Sequence, residues 1–318
     1  MKKIKSLGLS LVVISVVGLT GCGGDSGSSS SGNGTSLSFP SNAVSADATL
    51  SNGLEVKDVV AQNQQDVYSI NAVNTSSSKN IVLSMKKIVD ITNEIDTQFY
   101  SLNQTVNRTD NCQISGTYNI NGSGSETGGA SVTLTFNQCE MVDEVVMNGK
   151  MLTSSSQYND TYGGYTSIDI KYLSDITIVS PNINAKIYSG STQKVNFTNI
   201  TGYYSSNNMN ITLSAISEIN TVKSGQQNAI YYFDLSSGQP SMYQTAGKVY
   251  INNLDSYVTY DTTYDMSETP FVFSYAGLSD GEARYVMAGG GNVKIVAESN
   301  VVKTYVDADG DGIYELSE

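Results

Sequence analysis

From Cys112 onward the chain alternates apolar and polar residues over short stretches. Ile168, Ile170 and Tyr172 form one such row, and Val293, Ile295 and Ala297 another. A period of two predicts strands with one face buried. Strand-like stretches cover 144–153, 166–179, 183–189, 193–199, 208–219, 229–235, 247–259, 270–275, 283–288, 292–297 and 300–306. Turn signals separate many of them, including Gly163-Gly164, Ser189-Gly190, Ser236-Ser237-Gly238 and Gly289-Gly290-Gly291. Residues 81–106 carry a different period. Ile81, Met85, Ile88, Ile91, Ile95, Phe99, Leu102 and Val106 are spaced by three or four, which predicts an amphipathic helix over about 79–107. Ser78 is the nearest N-cap candidate, and Asn107 or the Asp110-Asn111 pair ends it. Such a stripe needs an apolar partner, either its own sheet or a second copy in a parallel coiled coil; we expect the sheet. The fold class expected is therefore mainly β. It is a large antiparallel meander, an open sheet or partial barrel, with one long N-terminal amphipathic helix packed on it.

Composition changes this picture little but narrows the chemistry. The chain has 318 residues, 15 % charged, with Ser, Thr, Asn, Gly and Tyr filling the polar positions. It has no His and no Trp. Without His there is no Ser-His-Asp or Cys-His catalysis and no imidazole metal ligand. The formal charge is −13, with 17 Lys and Arg against 30 Asp and Glu. A surface this acidic repels phosphate backbones, so no nucleic-acid partner is expected.

The N-terminus is an address. Lys2, Lys3 and Lys5 precede a short apolar run from Leu7 to Leu19, and Leu19-Thr20-Gly21-Cys22 follows. This resembles the bacterial lipobox, whose Cys is acylated and becomes the first mature residue. The resemblance implies a signal peptide at 1–21, a covalent lipid (palmitate class) on Cys22 and attachment to the membrane. Gly23 and Gly24 stand where a retaining Asp would hold such a protein at the inner membrane. That implies the outer membrane, with periplasmic face or cell surface left open. Residues 22–38 are dominated by Gly and Ser and read as a tether. Residues 39–318 are expected to form a single β-rich domain.

Two cysteines remain, Cys112 and Cys139. An even pair in an exported chain predicts a disulfide closing about 28 residues, with stabilisation on the order of 3–4 kcal/mol. Between them GTYNING (116–122) and ASVTLTF (130–136) both alternate around SGSETGG, which predicts a hairpin stapled across its open ends.

The chain ends in VDADGDGIYELSE. Asp307, Asp309, Asp311, Gly312, Glu315 and Glu318 occupy positions 1, 3, 5, 6, 9 and 12 of a twelve-residue loop. The pattern is similar to the EF-hand calcium loop, in which position 7 (here Ile313) offers its backbone carbonyl. It departs from that family in entering from a strand, in carrying Tyr314 at the usually aliphatic position 8, and in reaching position 12 with no following helix. The expectation is a hairpin, 301–306 against 313–316, whose tip holds one structural Ca²⁺.

A helix followed by a long meander, behind a lipobox, resembles in outline the lipoprotein carriers, in which helices close a half-barrel around an acyl chain. That likeness rests on element order alone and carries over no residues. No Walker loop or G-x-G-x-x-G occurs, and the S-x-x-K runs at 76–79, 84–87 and 191–194 lack companion motifs. No catalytic residue is assigned. The function expected is a non-enzymatic outer-membrane lipoprotein with a structural or interaction role, meeting an envelope protein, glycan or lipid. The alternative is a hydrophobic-ligand module holding its ligand between helix 81–106 and the sheet. A glycan-acting enzyme, with a carboxylate pair among the acids, comes third.

Overall fold

Each strand of the molecule sorts its residues onto two faces. In the stretch Asn292–Glu298, Val293, Ile295 and Ala297 are buried, while Asn292, Lys294 and Glu298 point the other way. The structure, a computed structural model, describes residues 37–68, 105–125, 129–142, 144–159, 164–181, 183–202, 205–234, 241–274 and 277–317. Within them lie one α-helix, α1 (Leu50–Tyr68), and eighteen strands of a single mixed sheet. In chain order the strands are β1 (Val44–Ser45), β2 (Thr105–Asn111), β3 (Ser115–Ser125), β4 (Gly129–Val142), β5 (Val145–Asn159) and β6 (Gly164–Tyr172). Next come β7 (Ile176–Ser180), β8 (Ile183–Ile187), β9 (Thr192–Gly202), β10 (Ser205–Ile219), β11 (Val222–Asp234) and β12 (Ser241–Ile251). The last are β13 (Ser256–Tyr260), β14 (Phe271–Ser274), β15 (Gly277–Val286), β16 (Asn292–Glu298), β17 (Val301–Asp307) and β18 (Leu316–Ser317).

The expected meander is present, with a refinement. From β2 to β5, and again from β10 to β12 and β15 to β18, successive strands pair antiparallel. Between these runs, short strands lie end to end along a long one. β5 pairs with both β6 and β7, β10 with both β9 and β8, and β12 with both β13 and β14. So the stretch 166–179, read as one strand, is two. Leu173 and Ser174 break it by donating their N–H groups to the Lys150 carbonyl. The stretch 247–259 is likewise split, by a 3₁₀ turn at Asn252–Leu254. β1 adds a short parallel ladder to β13, which makes the sheet mixed.

The helix expected over 79–107 lies outside the described residues up to 104, and its end is corrected. Thr105, Val106 and Asn107 are strand, paired with Ser123, Gly122 and Asn121 of β3. Alternation through TVNRTDN and the neighbouring edge of the sheet outweigh the helical spacing there. The described helix is instead α1, which sequence patterning did not reveal. Thr49 caps it, its Oγ1 accepting from Asn52 N–H at 3.3 Å and its carbonyl from Gly53 N–H at 2.9 Å. Val56 and Val60 are fully buried, and Gly53 lies directly over Thr304 and Val306 of β17. Glu55 ties the helix to the sheet by accepting the Asn252 N–H at 2.8 Å.

One continuous core joins α1 to the inner side of the sheet from β3 to β17. A second, smaller cluster sits on the opposite face of β10–β12. There Leu37, Phe39 and Ala43 pack on Ile216, Tyr250 and Leu254, with the Phe39 and Tyr250 rings stacked at 4.6 Å. The N-terminal arm thus crosses the outside of the sheet before Ala46 turns inward, where its carbonyl accepts from Ala288 N–H at 2.8 Å.

Candidate metal centre

β17 delivers the C-terminal loop. Its last residue, Asp307, pairs with Asn292 and is 1 % exposed, although its side chain is a carboxylate. Burying an ionised carboxylate is costly unless it is hydrogen-bonded. Here the chain bends back to supply donors. Asp307 Oδ1 accepts from Gly310 N–H at 2.7 Å and Oδ2 from Gly312 N–H at 3.0 Å. Gly310 and Gly312 both have positive φ (79° and 90°), which an L side chain adopts only with strain. Gly310 also sits so close to Gly290 that an added Cβ would lie 2.5 Å from the Gly290 carbonyl oxygen.

The remaining acids repeat the device. Asp309 accepts from Asp311 N–H, Asp311 from Ile313 N–H, and Glu315 from Ala308 N–H, at 3.2, 2.7 and 2.9 Å. These turns bring Asp307, Asp309, Asp311 and Glu315 together, with one carboxylate oxygen from each within 4.8 Å of all the others. The donor set is all hard oxygen, and each oxygen that takes one N–H keeps a further lone pair. That chemistry suits Ca²⁺, which takes six to eight oxygens at about 2.3–2.6 Å, and not a thiolate- or imidazole-seeking metal. Of the sequence-assigned ligands, four converge. Ile313 appears through its donated N–H, and its side chain is exposed. Glu318 lies outside the described residues.

Tyr314 explains itself in the fold. It lies across the outer face of β15–β17, where Arg284, Lys294 and Tyr305 stand side by side on adjacent strands. Lys294 Nζ is 4.4 Å from the Tyr314 ring centre and 5.3 Å from that of Tyr305, and the two rings meet edge to face at 6.4 Å. Burial lifts the Tyr314 phenol above its ordinary pKa; Arg284 opposes the shift, while Glu282, Asp307 and Asp261 add to it. The loop is thus held at both ends, by Asp307 in the sheet and by Tyr314 on its outer face. A Tyr where EF-hand loops carry an aliphatic residue was the signal for this second hold.

The other assigned residues divide simply. Cys112 and Cys139 stand at disulfide distance, with Cα atoms 5.5 Å apart, joining the end of β2 to β4. Cys22 lies outside the described residues. Comparison with protein families, with curated proteins and with solved structures finds no match for this chain.

Proposed function

We propose that the protein is a non-enzymatic lipoprotein of the bacterial outer membrane, held by acyl chains on Cys22 and serving a structural or interaction role in the envelope. The observation that carries this reading is the packing of the residues that follow the Gly/Ser run. The Gly/Ser run after LTGC gives way at residue 37, and Leu37 and Phe39 pack at once on Ile216, Tyr250 and Leu254. A tether leading straight into a docked arm is what lipid anchoring of a folded body requires. The aromatic surface favours a non-catalytic role over glycan chemistry. The rings of Tyr188, Tyr257, Tyr264, Tyr305 and Tyr314 carry Lys or Arg over them, rather than standing open for a sugar. In this reading Asp307, Asp309, Asp311 and Glu315 hold a structural Ca²⁺, completed by the Ile313 carbonyl and Glu318. The test is metabolic labelling with a clickable palmitate followed by membrane fractionation. Label on the wild type that is lost in Cys22→Ser supports anchoring, and an unlabelled, freely soluble wild type refutes it.

A second reading, a carrier of a hydrophobic ligand, is favoured by three buried hydroxyls. Thr153 Oγ1, Ser155 Oγ and Tyr172 OH, on the inner face of β5 and β6 beside Met151, Ile168 and Ile170, have no hydrogen-bond partner among the described residues. An orphaned buried hydroxyl costs about 1–3 kcal/mol, and a polar group on an apolar ligand would satisfy it. Solvent extraction of detergent-free Cys22→Ser protein, followed by mass spectrometry, decides between the two. Stoichiometric lipid means a carrier, and an empty stable protein leaves the structural role.

A further inference from the structure

The registers define two ends of the sheet. The pairs Val142–Val145, Ile219–Val222, Ile251–Ser256, Val286–Asn292 and Asn292–Asp307 all close at the same end. The pairs Ser205–Gly202, Ser274–Gly277 and Glu298–Val301 close at the other. Among the described residues, six large aliphatic side chains are exposed: Val44, Ile114, Val179, Val222, Val301 and Ile313. All but Val301 stand at the first end. Ile114 lies in the turn between β2 and β3, and Val179 is one residue from the end of β7. Val222 follows the turn after β10, Val44 runs beside Ser256 at the start of β13, and Ile313 is in the Asp-rich loop. Their exposure runs from 43 % at Val179 to 64 % at Val44 and Ile313. A single exposed aliphatic is ordinary, but five of six gathered at one rim of a sheet are not.

The same rim receives the N-terminal arm. Ala43 N–H donates to the Pro40 carbonyl, Val44 N–H to that of Asp255, and Ala46 N–H to that of Tyr257. Only residues 23–36 separate Cys22 from this arm, and a Gly/Ser chain of that length has an end-to-end distance of about 20 Å. We infer that this rim is a membrane-docking surface whose partner is the lipid leaflet that holds the acyl chains. Val44, Ile114, Val179, Val222 and Ile313 enter its interfacial zone, and the opposite end, with Val301, faces away. The inference rests on the anchored-lipoprotein reading. Ile313 shares its loop with the clustered carboxylates of Asp309, Asp311 and Glu315, so on an anionic leaflet its approach requires a divalent cation to neutralise them.

The test uses the full acylated protein bearing a fluorophore at Val222→Cys, Ile313→Cys or Val301→Cys. It is reconstituted in phosphatidylethanolamine/phosphatidylglycerol vesicles containing brominated lipid, with millimolar Ca²⁺. Quenching at 222 and 313 with none at 301 is the expected result. Equal quenching at all three positions, or none at any of them in vesicle-bound protein, overturns the inference. Mass spectrometry of Cys22 reports separately on anchoring. If Cys22 carries no lipid, docking is read from sedimentation of Cys22→Ser protein with the same vesicles. Binding that falls about tenfold in the Val44→Ser/Val222→Ser/Ile313→Ser variant sustains it. Equal sedimentation of variant and parent, or none of the parent, overturns it.

Discussion

Gly53 offers the sharpest check on how α1 sits on the sheet. It lies in the first turns of a helix, where Gly→Ala ordinarily stabilises by about 1 kcal/mol through backbone entropy and helix propensity. Here the added methyl would stand 2.8 Å from Val306 Cγ2, 3.0 Å from Thr304 Cγ2 and 3.3 Å from Val293 Cγ2. Val306, Thr304 and Val293 are all fully buried strand residues, so none can swing into solvent. Overpacking of this kind costs about 1–3 kcal/mol. The clash outweighs the propensity gain, and Gly53→Ala is expected to destabilise by about 1 kcal/mol, lowering Tm by about 2–4 °C. Val306→Ala removes the closest methyl and by itself costs about 2 kcal/mol in lost burial and cavity. In the double variant the new methyl occupies part of that cavity. The cycle should therefore close with a favourable coupling of about 1 kcal/mol. Urea unfolding followed by far-UV circular dichroism measures all four proteins. A Gly53→Ala protein more stable than wild type, with effects additive with Val306→Ala, would refute the docking of α1 on β17.

Saturating Ca²⁺ should raise Tm by about 5 °C over the chelated protein at ten- to a hundredfold excess over Kd, and Asp307→Asn should abolish the difference in a thermal melt. Cys112→Ser/Cys139→Ser should cost on the order of 3–4 kcal/mol in urea unfolding, since the two residues are 27 apart in sequence. Gly149 has φ 125°, and an added Cβ would lie 2.3 Å from the Asp175 carbonyl oxygen. Gly149→Ala should therefore cost about 3 kcal/mol or more, seen as loss of soluble protein or a large fall in urea midpoint. Burial raises the phenol pKa of Tyr172, Tyr231 and Tyr285. Their stabilisation is complete below the pKa of an exposed Tyr and is lost as pH rises through the folded values, so unfolding is expected at alkaline pH. Phenolate absorbance at these sites should appear together with loss of circular dichroism; phenolate formation in a still-folded protein would contradict the burial.

The parts of this fold that were legible are those in which one local signal and one partner agree. Alternation through ASVTLTF placed Val132, Leu134 and Phe136 on the buried face of β4, as found. The spacing of Asp307, Asp309, Asp311 and Glu315 predicted their convergence, because alternate side chains of a tight turn point to one centre. Other features depend on contacts that no local pattern encodes. α1 carries a Gly in its first turns and a polar run, Gln62-Asn63-Gln64-Gln65-Asp66, in its second half. Gly53 reads as a helix breaker until its proximity to Val306 is known. The break at Asn252–Leu254 falls between Ile251 and Leu254, apolar residues that read as continuous strand. Yet Asn252, Asn253 and Leu254 all take positive φ, which Asn tolerates better than most residues. That β6 and β7 lie end to end beside β5 is a fact of long-range register, set by Lys150 bonding to Leu173 and Ser174 across the sheet.

An extended meander leaves two strands with one neighbour each over much of their length, and such edges invite pairing with other chains. Among the described residues β2 and β17 are those strands, and each is secured at the same end of the sheet by a different means. Among the described residues β2 pairs only with β3, but Cys112 at its end reaches past β3 to Cys139 of β4. Gly116 makes this route possible. Its φ is 76°, and any Cβ would strike the Gln138 carbonyl at 1.8 Å, where the β3–β4 register slips. β17 pairs with β16, and the Asp loop folds β18 back onto Tyr305 and Val306. The rest of that edge is left to Val301–Thr304, including the charged Lys303, which is bonded to Glu298 at 3.0 Å. The covalent tie and the carboxylate loop therefore do the same mechanical task at opposite margins of one sheet. Losing either should loosen its own edge first. Hydrogen exchange would register loss of the disulfide at β2, and loss of the carboxylate loop in Asp307→Asn at β17 and β18, not uniformly through the core.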